Sequence, residues 1–170
     1  MTELQPVVVD PGTDLVLDRF VDVDPKAVWD AWTVPEQLVQ WFTPAPWSTV
    51  RAELDLRPGG RMHTTMASPD GAEYPSTGCF LQVCETPDSS GRRRLVFTSA
   101  LGPGFRPVPL PDGEFHMTVI IDIVAEGTGT RYTATVLHDS EAAKKQHEEM
   151  GFTDGWGAAL DQMVAMITKG

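Results

Sequence analysis

The sequence predicts an α+β domain in which a seven-stranded, curved antiparallel sheet wraps around one long carboxy-terminal helix. Three observations carry that expectation. From Trp156 onward the large apolar residues fall at Trp156, Leu160, Met163 and Ile167, the stripe of one helix face, while Asp161 and Gln162 lie off it on a wet side. Upstream of residue 139, runs of alternating residues are separated by short turns, as in an antiparallel meander. Two short helices interrupt the chain between the first strand and the rest, an order few folds use.

Taken in order, residues 1–12 end in Asp10-Pro11-Gly12 and read as a flexible arm ahead of a single domain spanning 13–170. Asp14–Val23 is a first strand with Leu15, Leu17 and Arg19 on one face. Asp24 caps a helix with Pro25 in its first turn, and Val28, Trp29 and Trp32 form its apolar side. Thr33-Val34-Pro35-Glu36 reads as a capping box opening a second short helix with Leu38, Trp41 and Phe42 inward. Strands follow at Ser48–Leu54, Arg61–Ala67, Tyr74–Glu85, Arg94–Ala100, Phe115–Ala125 and Thr130–Leu137, the sixth placing Phe115, Met117, Val119, Ile121 and Ile123 on one side. Turns such as Arg57-Pro58-Gly59-Gly60 and Ser68-Pro69-Asp70-Gly71 separate them. The long Pro/Gly-rich stretch 101–113 is either a lid or binding loop or a stiff disordered excursion. Ser140 caps a helix running to about Met150, and Gly151–Gly157 interrupts it before the closing helix.

The totals narrow the function. A net charge of −11 argues against nucleic acid or an anionic membrane as partner, since phosphate binding needs clustered Lys and Arg. The one basic run, Arg92-Arg93-Arg94, follows a turn and reads as a solvated hairpin end. No stretch reaches the roughly 18 apolar residues of a membrane span, and the amino terminus lacks a signal-peptide pattern, so a cytoplasmic location is expected. Cys79 and Cys84, five positions apart in one expected strand, should point to opposite faces and stay unpaired.

Several of these segments, in this order, carry a resemblance. Val28-Trp29-Asp30-Ala31-Trp32-Thr33, Pro35-Glu36-Gln37-Leu38 followed by Trp41, Asp55-Leu56-Arg57-Pro58-Gly59-Gly60, Gly78, and His147-Glu148-Glu149-Met150-Gly151-Phe152 with Gly155-Trp156 resemble the SRPBCC superfamily, the START-like, birch-pollen-allergen-like group. The branch most similar is the one homologous to the carboxy-terminal domain of the activator of heat-shock protein 90 ATPase. The resemblance implies a helix-grip fold: a strand, two small helices, six more strands and a long terminal helix. Members of the superfamily bind lipids, sterols, polyketides or hormones in a cavity. Some are cyclases or dehydratases, and the chaperone-activator branch binds protein. No catalytic motif is common to them, so the resemblance implies no catalytic residue.

The residues themselves offer little catalytic chemistry. His63 and His116 take the strand parity opposite Met62 and Met117, hence the outer face. His147 begins His-Glu-Glu-Met-Gly, which lacks the second His of a zinc-protease motif, so no metal site is expected. His138, ending the last strand, could project into a cavity mouth. Neither nucleotide-binding fingerprint is present, nor a hydrolase elbow. What remains is apolar volume, for which a close-packed core is the plain alternative.

The expectation is therefore a non-enzymatic container without cofactor, monomeric or homodimeric, holding a small hydrophobic ligand between sheet and terminal helix. Its candidate wall comprises Trp41, Met62, Met66, Phe80, Phe97, Phe105, Met117, Val119, His138, Phe152, Trp156, Leu160 and Met163, with 151–157 and 101–113 as the rim. A protein-interaction module resembling the heat-shock protein 90 ATPase activator is the alternative. A cyclase or dehydratase with an inward acid/base pair is a further one.

Overall fold

A computed structural model describes residues 3–170. Its main sheet has seven strands: β1 (Asp14–Val21), β2 (Ser48–Leu54), β3 (Arg61–Ala67), β4 (Glu73–Cys84), β5 (Arg92–Thr98), β8 (Thr118–Glu126) and β9 (Gly129–Leu137). A separate pair, β6 (Leu101–Gly102) and β7 (Arg106–Pro107), forms a small hairpin. Helices α1 (Pro25–Thr33) and α2 (Pro35–Leu38) follow β1, and α3 (Glu141–Glu149) and α4 (Phe152–Lys169) close the chain. The main sheet runs β1-β9-β8-β5-β4-β3-β2, antiparallel throughout.

That order explains the early helices. β1 and β2 are consecutive in the chain but occupy opposite edges of the sheet, so the segment joining them must travel its full width. α1 and α2 make the crossing on the inner side and bury Val28, Trp29, Ala31, Trp32 and Leu38. Across from them, Leu95, Val119, Ile121, Ile123, Ala134 and Val136 are buried on the inner face of the central strands, and Leu160 and Met163 of α4 complete the core.

Capping follows the sequence in part. Asp24 accepts from the Lys26 amide (2.8 Å), and Ser140 from the Ala143 amide (3.1 Å). The capping box at Thr33 does not form. Val34, held extended (φ −97°, ψ 113°) as a residue preceding proline is, is the cap of α2 and offers no side-chain acceptor. Thr33 instead ends α1, its Oγ1 donating to Trp29 O at 2.8 Å. The expected break at 151–157 is also far shorter. Gly151 alone, at φ +90°, redirects the chain, and α4 is helical from Phe152.

Three expectations about faces are corrected. A bulge at Leu81, where the β4–β5 register slips between Phe80 and Gln82, cancels the odd spacing of the cysteines. Cys79 and Cys84 pair with Thr98 and Arg94, four residues apart on β5, and so share the outer face, both as free thiols. Arg94 is not a solvated hairpin residue: it lies within β5, buried, in a bidentate pair with Asp122 (Nε–Oδ1 2.7 Å, Nη2–Oδ2 3.0 Å). Gln162 is not on a wet side. It accepts from Ala45 N (2.8 Å) and donates to Trp41 O (3.0 Å) and Thr43 O (2.9 Å), stitching α4 to the chain after α2.

The arm before β1 is fastened at Leu4 and at Asp10. Asp10 N donates to Asp14 Oδ2 (2.7 Å), and Leu4 N to Asp88 Oδ2 (2.8 Å) in the turn between β4 and β5, at the opposite end of the sheet. Hydrogen bonds from Ser90 and from the Leu4 and Arg92 amides hold the Asp88 carboxyl well below the usual carboxylate range.

Candidate functional site

Between the amino-terminal half of α4 and the residues around α1–α2 lies a cavity of about 560 Å3. One wall is an aromatic cluster: Trp32, Trp41 and Phe42, with ring centroids 4.9–5.6 Å apart in edge-on pairs. The facing wall is Phe152 and Trp156 (5.2 Å), one turn apart on α4, with Ala159 and Leu160 beyond them. Met117, just before β8, and Tyr132 of β9 supply the floor, while Thr43, Pro44, Trp47, Met66, Met150, Gly151 and Gly155 form the remaining border.

Two indoles of the wall have their N–H groups partnered within the protein. Trp32 Nε1 donates to Tyr132 Oη (3.1 Å) and Trp41 Nε1 to Ala31 O (2.9 Å), both buried. Burial pushes the Tyr132 phenol well above its ordinary pKa, so it stays neutral. Among the described residues, no Asp, Glu, Lys or Arg borders the space. The stitching by Gln162 fixes the backbone of Trp41, Thr43 and Ala45, and with it the border that faces α4.

One imidazole borders the cavity. His147 is buried on the side of α3 it shares with Ala143, against Phe115 (5.0 Å), Phe152 (5.3 Å) and Trp156 (6.3 Å). Its Nδ1 meets His138 Nε2 at 2.9 Å, and His138 Nδ1 meets Thr13 O at 2.8 Å. Desolvation, with a smaller effect of His138, depresses the His147 pKa to about 4. Among the described residues, no three His, Cys, Asp or Glu side chains converge as metal ligands.

Of the residues expected at the site, Trp41, Met66, Met117, Phe152, Trp156 and Leu160 do border the cavity. Met62, Phe80, Phe97, Val119 and Met163 are instead buried in the close-packed core. His138 stands behind His147 rather than at a mouth. Phe105 lies elsewhere, above Gly59, where a Cβ would come within 2.8 Å of its ring. The 101–113 stretch accordingly is no part of the rim. Gly104 N donates to Gly59 O (2.8 Å) and His116 Nε2 to Val108 O (3.0 Å), tying the stretch to the turn after β2 and to the segment before β8.

Sequence reasoning missed Trp32, Phe42, Trp47, Tyr132 and His147 as wall residues. Tyr132 was within reach: Tyr132, Ala134 and Val136 alternate inward along β9. So was His147, which follows Ala143 by four residues on the buried side of α3.

The model of the family described as Activator of Hsp90 ATPase homolog 1-like protein matches residues 22–168. No curated protein matches the chain. Among solved structures, the protein NE0264 from Nitrosomonas europaea is 40% identical, with 95% of this chain and 97% of that chain covered and a TM-score of 0.85. A protein from Arthrobacter aurescens is 24% identical over 94% of this chain and 88% of its own (TM-score 0.74). Protein Ms6760 from Mycobacterium smegmatis is 24% identical over 92% and 91% (TM-score 0.68). The last two share the fold. No helix among the described residues is long and apolar enough to cross a membrane.

Proposed function

The chain belongs to the Activator of Hsp90 ATPase homolog 1-like family, on the SRPBCC-type helix-grip fold, and from that premise we propose that it binds a small hydrophobic molecule, without catalysis, in the cavity under the amino-terminal half of α4. The observation that carries this reading is the cavity itself: about 560 Å3, bordered by aromatic and aliphatic groups and by no charged side chain. Removing apolar ligand surface from water gives about 2.5 kcal/mol per 100 Å2, against an association cost of about 4–15 kcal/mol. A ligand must therefore bury several hundred Å2, which favours one with fused or linked rings over a small fragment. Binding is favoured over a cyclase or dehydratase because the one imidazole on the wall, at a pKa of about 4, is a poor base at neutral pH.

Thermal shift across a panel of neutral hydrophobic compounds tests this. A concentration-dependent rise in Tm with ring-containing ligands supports it, and a flat response across chemically diverse ligands overturns it.

A second reading, a protein-docking module, has its own support. Trp47, Met66, Tyr74 and Met150 are exposed, and the first two and Met150 border the cavity. The family's description names the Hsp90 ATPase as what its namesake activates. Recovery of an Hsp90-class chaperone by the wild type, lost in Trp47→Ala/Met150→Ser, supports docking. Retention of the chaperone by that variant, or no recovery at all, argues against it.

A further inference from the structure

Two buried histidines form a hydrogen-bonded chain that ends at the cavity border. The Thr13 carbonyl can only accept a hydrogen bond, so His138 Nδ1, 2.8 Å away, carries a proton. In a neutral ring this leaves His138 Nε2 as an acceptor. Nε2 lies 2.9 Å from His147 Nδ1, which must therefore be the N–H that donates to it. A neutral His147 then presents a bare lone pair at Nε2. That nitrogen has no protein partner among the described residues, although the ring is only 8% exposed and forms part of the cavity border. The backbone thus dictates the tautomer of a side chain two steps away.

Contacts fix the ring as well as its protons. Phe115, Phe152 and Trp156 surround it, and α3 presents it from the buried side that begins at Ala143. Its depressed basicity keeps it neutral over the physiological range, so it recognises a donor rather than an anion. Tyr132 adds a second polar group on the same border. Its oxygen accepts from Trp32, which leaves its own hydrogen to donate.

We infer that the ligand is an uncharged aromatic amphiphile with a hydroxyl of the phenol type, whose O–H donates to His147 Nε2 while its rings lie between Trp32, Trp41, Phe152 and Trp156. This rests on the binding reading above and specifies it. A carboxylate would set anionic oxygens against the imidazole lone pair. An ammonium would enter a space without a counter-charge, since no acidic residue borders it. A pure hydrocarbon would leave the imidazole acceptor dry and unsatisfied.

Calorimetric titration of the full chain near neutral pH with 2-naphthol, 2-methoxynaphthalene and 2-naphthoate decides it. The wild type should bind 2-naphthol about tenfold more tightly than its methyl ether, the size of one buried hydrogen bond, and naphthoate most weakly. His147→Phe should bind naphthol and ether alike. Equal affinities in the wild type, a preference for naphthoate, or a naphthol preference that survives His147→Phe would overturn the inference while leaving a hydrophobic binding site in place. Binding of none of the three would remove the binding site itself. Should His147→Phe not fold, 15N spectra of the wild type read the same point. Nε2 of His147 should show the shift of an unprotonated acceptor nitrogen and move on addition of naphthol, and a protonated Nε2 would overturn the assignment.

Discussion

The two halves of α4 belong to one continuous helix and face the same sheet, yet they do opposite things. Its carboxy-terminal half sets Met163 into the core, fully buried. Its amino-terminal half sets Phe152 and Trp156 along a cavity, with Trp156 half-buried. The difference lies in what stands opposite. Around Met163 the side chains are close-packed in the buried core. Near Trp156 the opposing rings of Trp32, Trp41 and Phe42 are locked edge-on to one another, and Gln162 holds the 41–45 backbone in place, so neither can collapse into the gap. A close-packed core and a ligand site thus share one helix because rigid partners keep half of it uncovered.

The contrast can be broken first by deletion. Met163→Ala should lose about 2–5 kcal/mol, the range for a buried Leu or Met truncated to Ala. Trp156→Ala, although it removes more atoms, should lose less, since much of that ring meets empty space. Urea unfolding of both variants checks this, and a costlier Trp156→Ala would make the amino-terminal half ordinary core. Gln162→Ala should follow, with a loss of about 1–3 kcal/mol for stranded backbone groups. Hydrogen exchange should then quicken in 41–45 and stay unchanged around Met163.

Two glycines of α4 sharpen the comparison at smaller scale. Gly155 has only Pro44 Cγ near it, at 4.0 Å, so Gly155→Ala should stabilise by about 0.5–1 kcal/mol through helix propensity alone. A methyl at Gly157 would meet the Arg19 guanidinium and displace it from Asp161, where it now bonds at 2.9 Å. Its gain should therefore be largely cancelled, and the Tm of Gly157→Ala should fall below that of Gly155→Ala.

The last effect is a pH slope. His147 titrates near 4 in the folded chain and near its ordinary 6.5 when unfolded, so between those values the unfolded state binds more protons. Its contribution to stability is present in full above about pH 6.5 and is lost as the pH falls toward 4. His138 is the titratable group it touches, with Phe115, Phe152 and Trp156 on its other sides. Urea midpoints measured across that window should fall with pH in the wild type and fall less in His147→Phe.

The fold was legible because it is written in period and punctuation. Leu160 and Met163 mark the buried side of α4, Asp24-Pro25 opens α1, and the β2 and β3 bounds follow directly from alternation. Features that depend on register were not legible. The bulge at Leu81 moves Cys84 to the face of Cys79, and no local signal announces it. Val34 replaced Thr33 as a cap because the proline after it fixes its backbone, a constraint that outweighed the better capping side chain. At the site, sequence could find apolar residues but could not sort wall from core: Met62 and Met66 share a strand face, yet one is core and the other rim. Nor could it see that Thr13, 125 residues before His138, sets that ring's protons.

Fluorescence titration with the neutral probe N-phenyl-1-naphthylamine, in the wild type and in Ala159→Trp, bears most directly on whether the space beside Trp156 is a binding site. Ala159 borders the cavity, and an indole there would fill it. Saturable one-to-one binding by the wild type, abolished in a variant that still unfolds cooperatively, is the expected result. Equal saturable binding by both proteins, or none by the wild type, would contradict it.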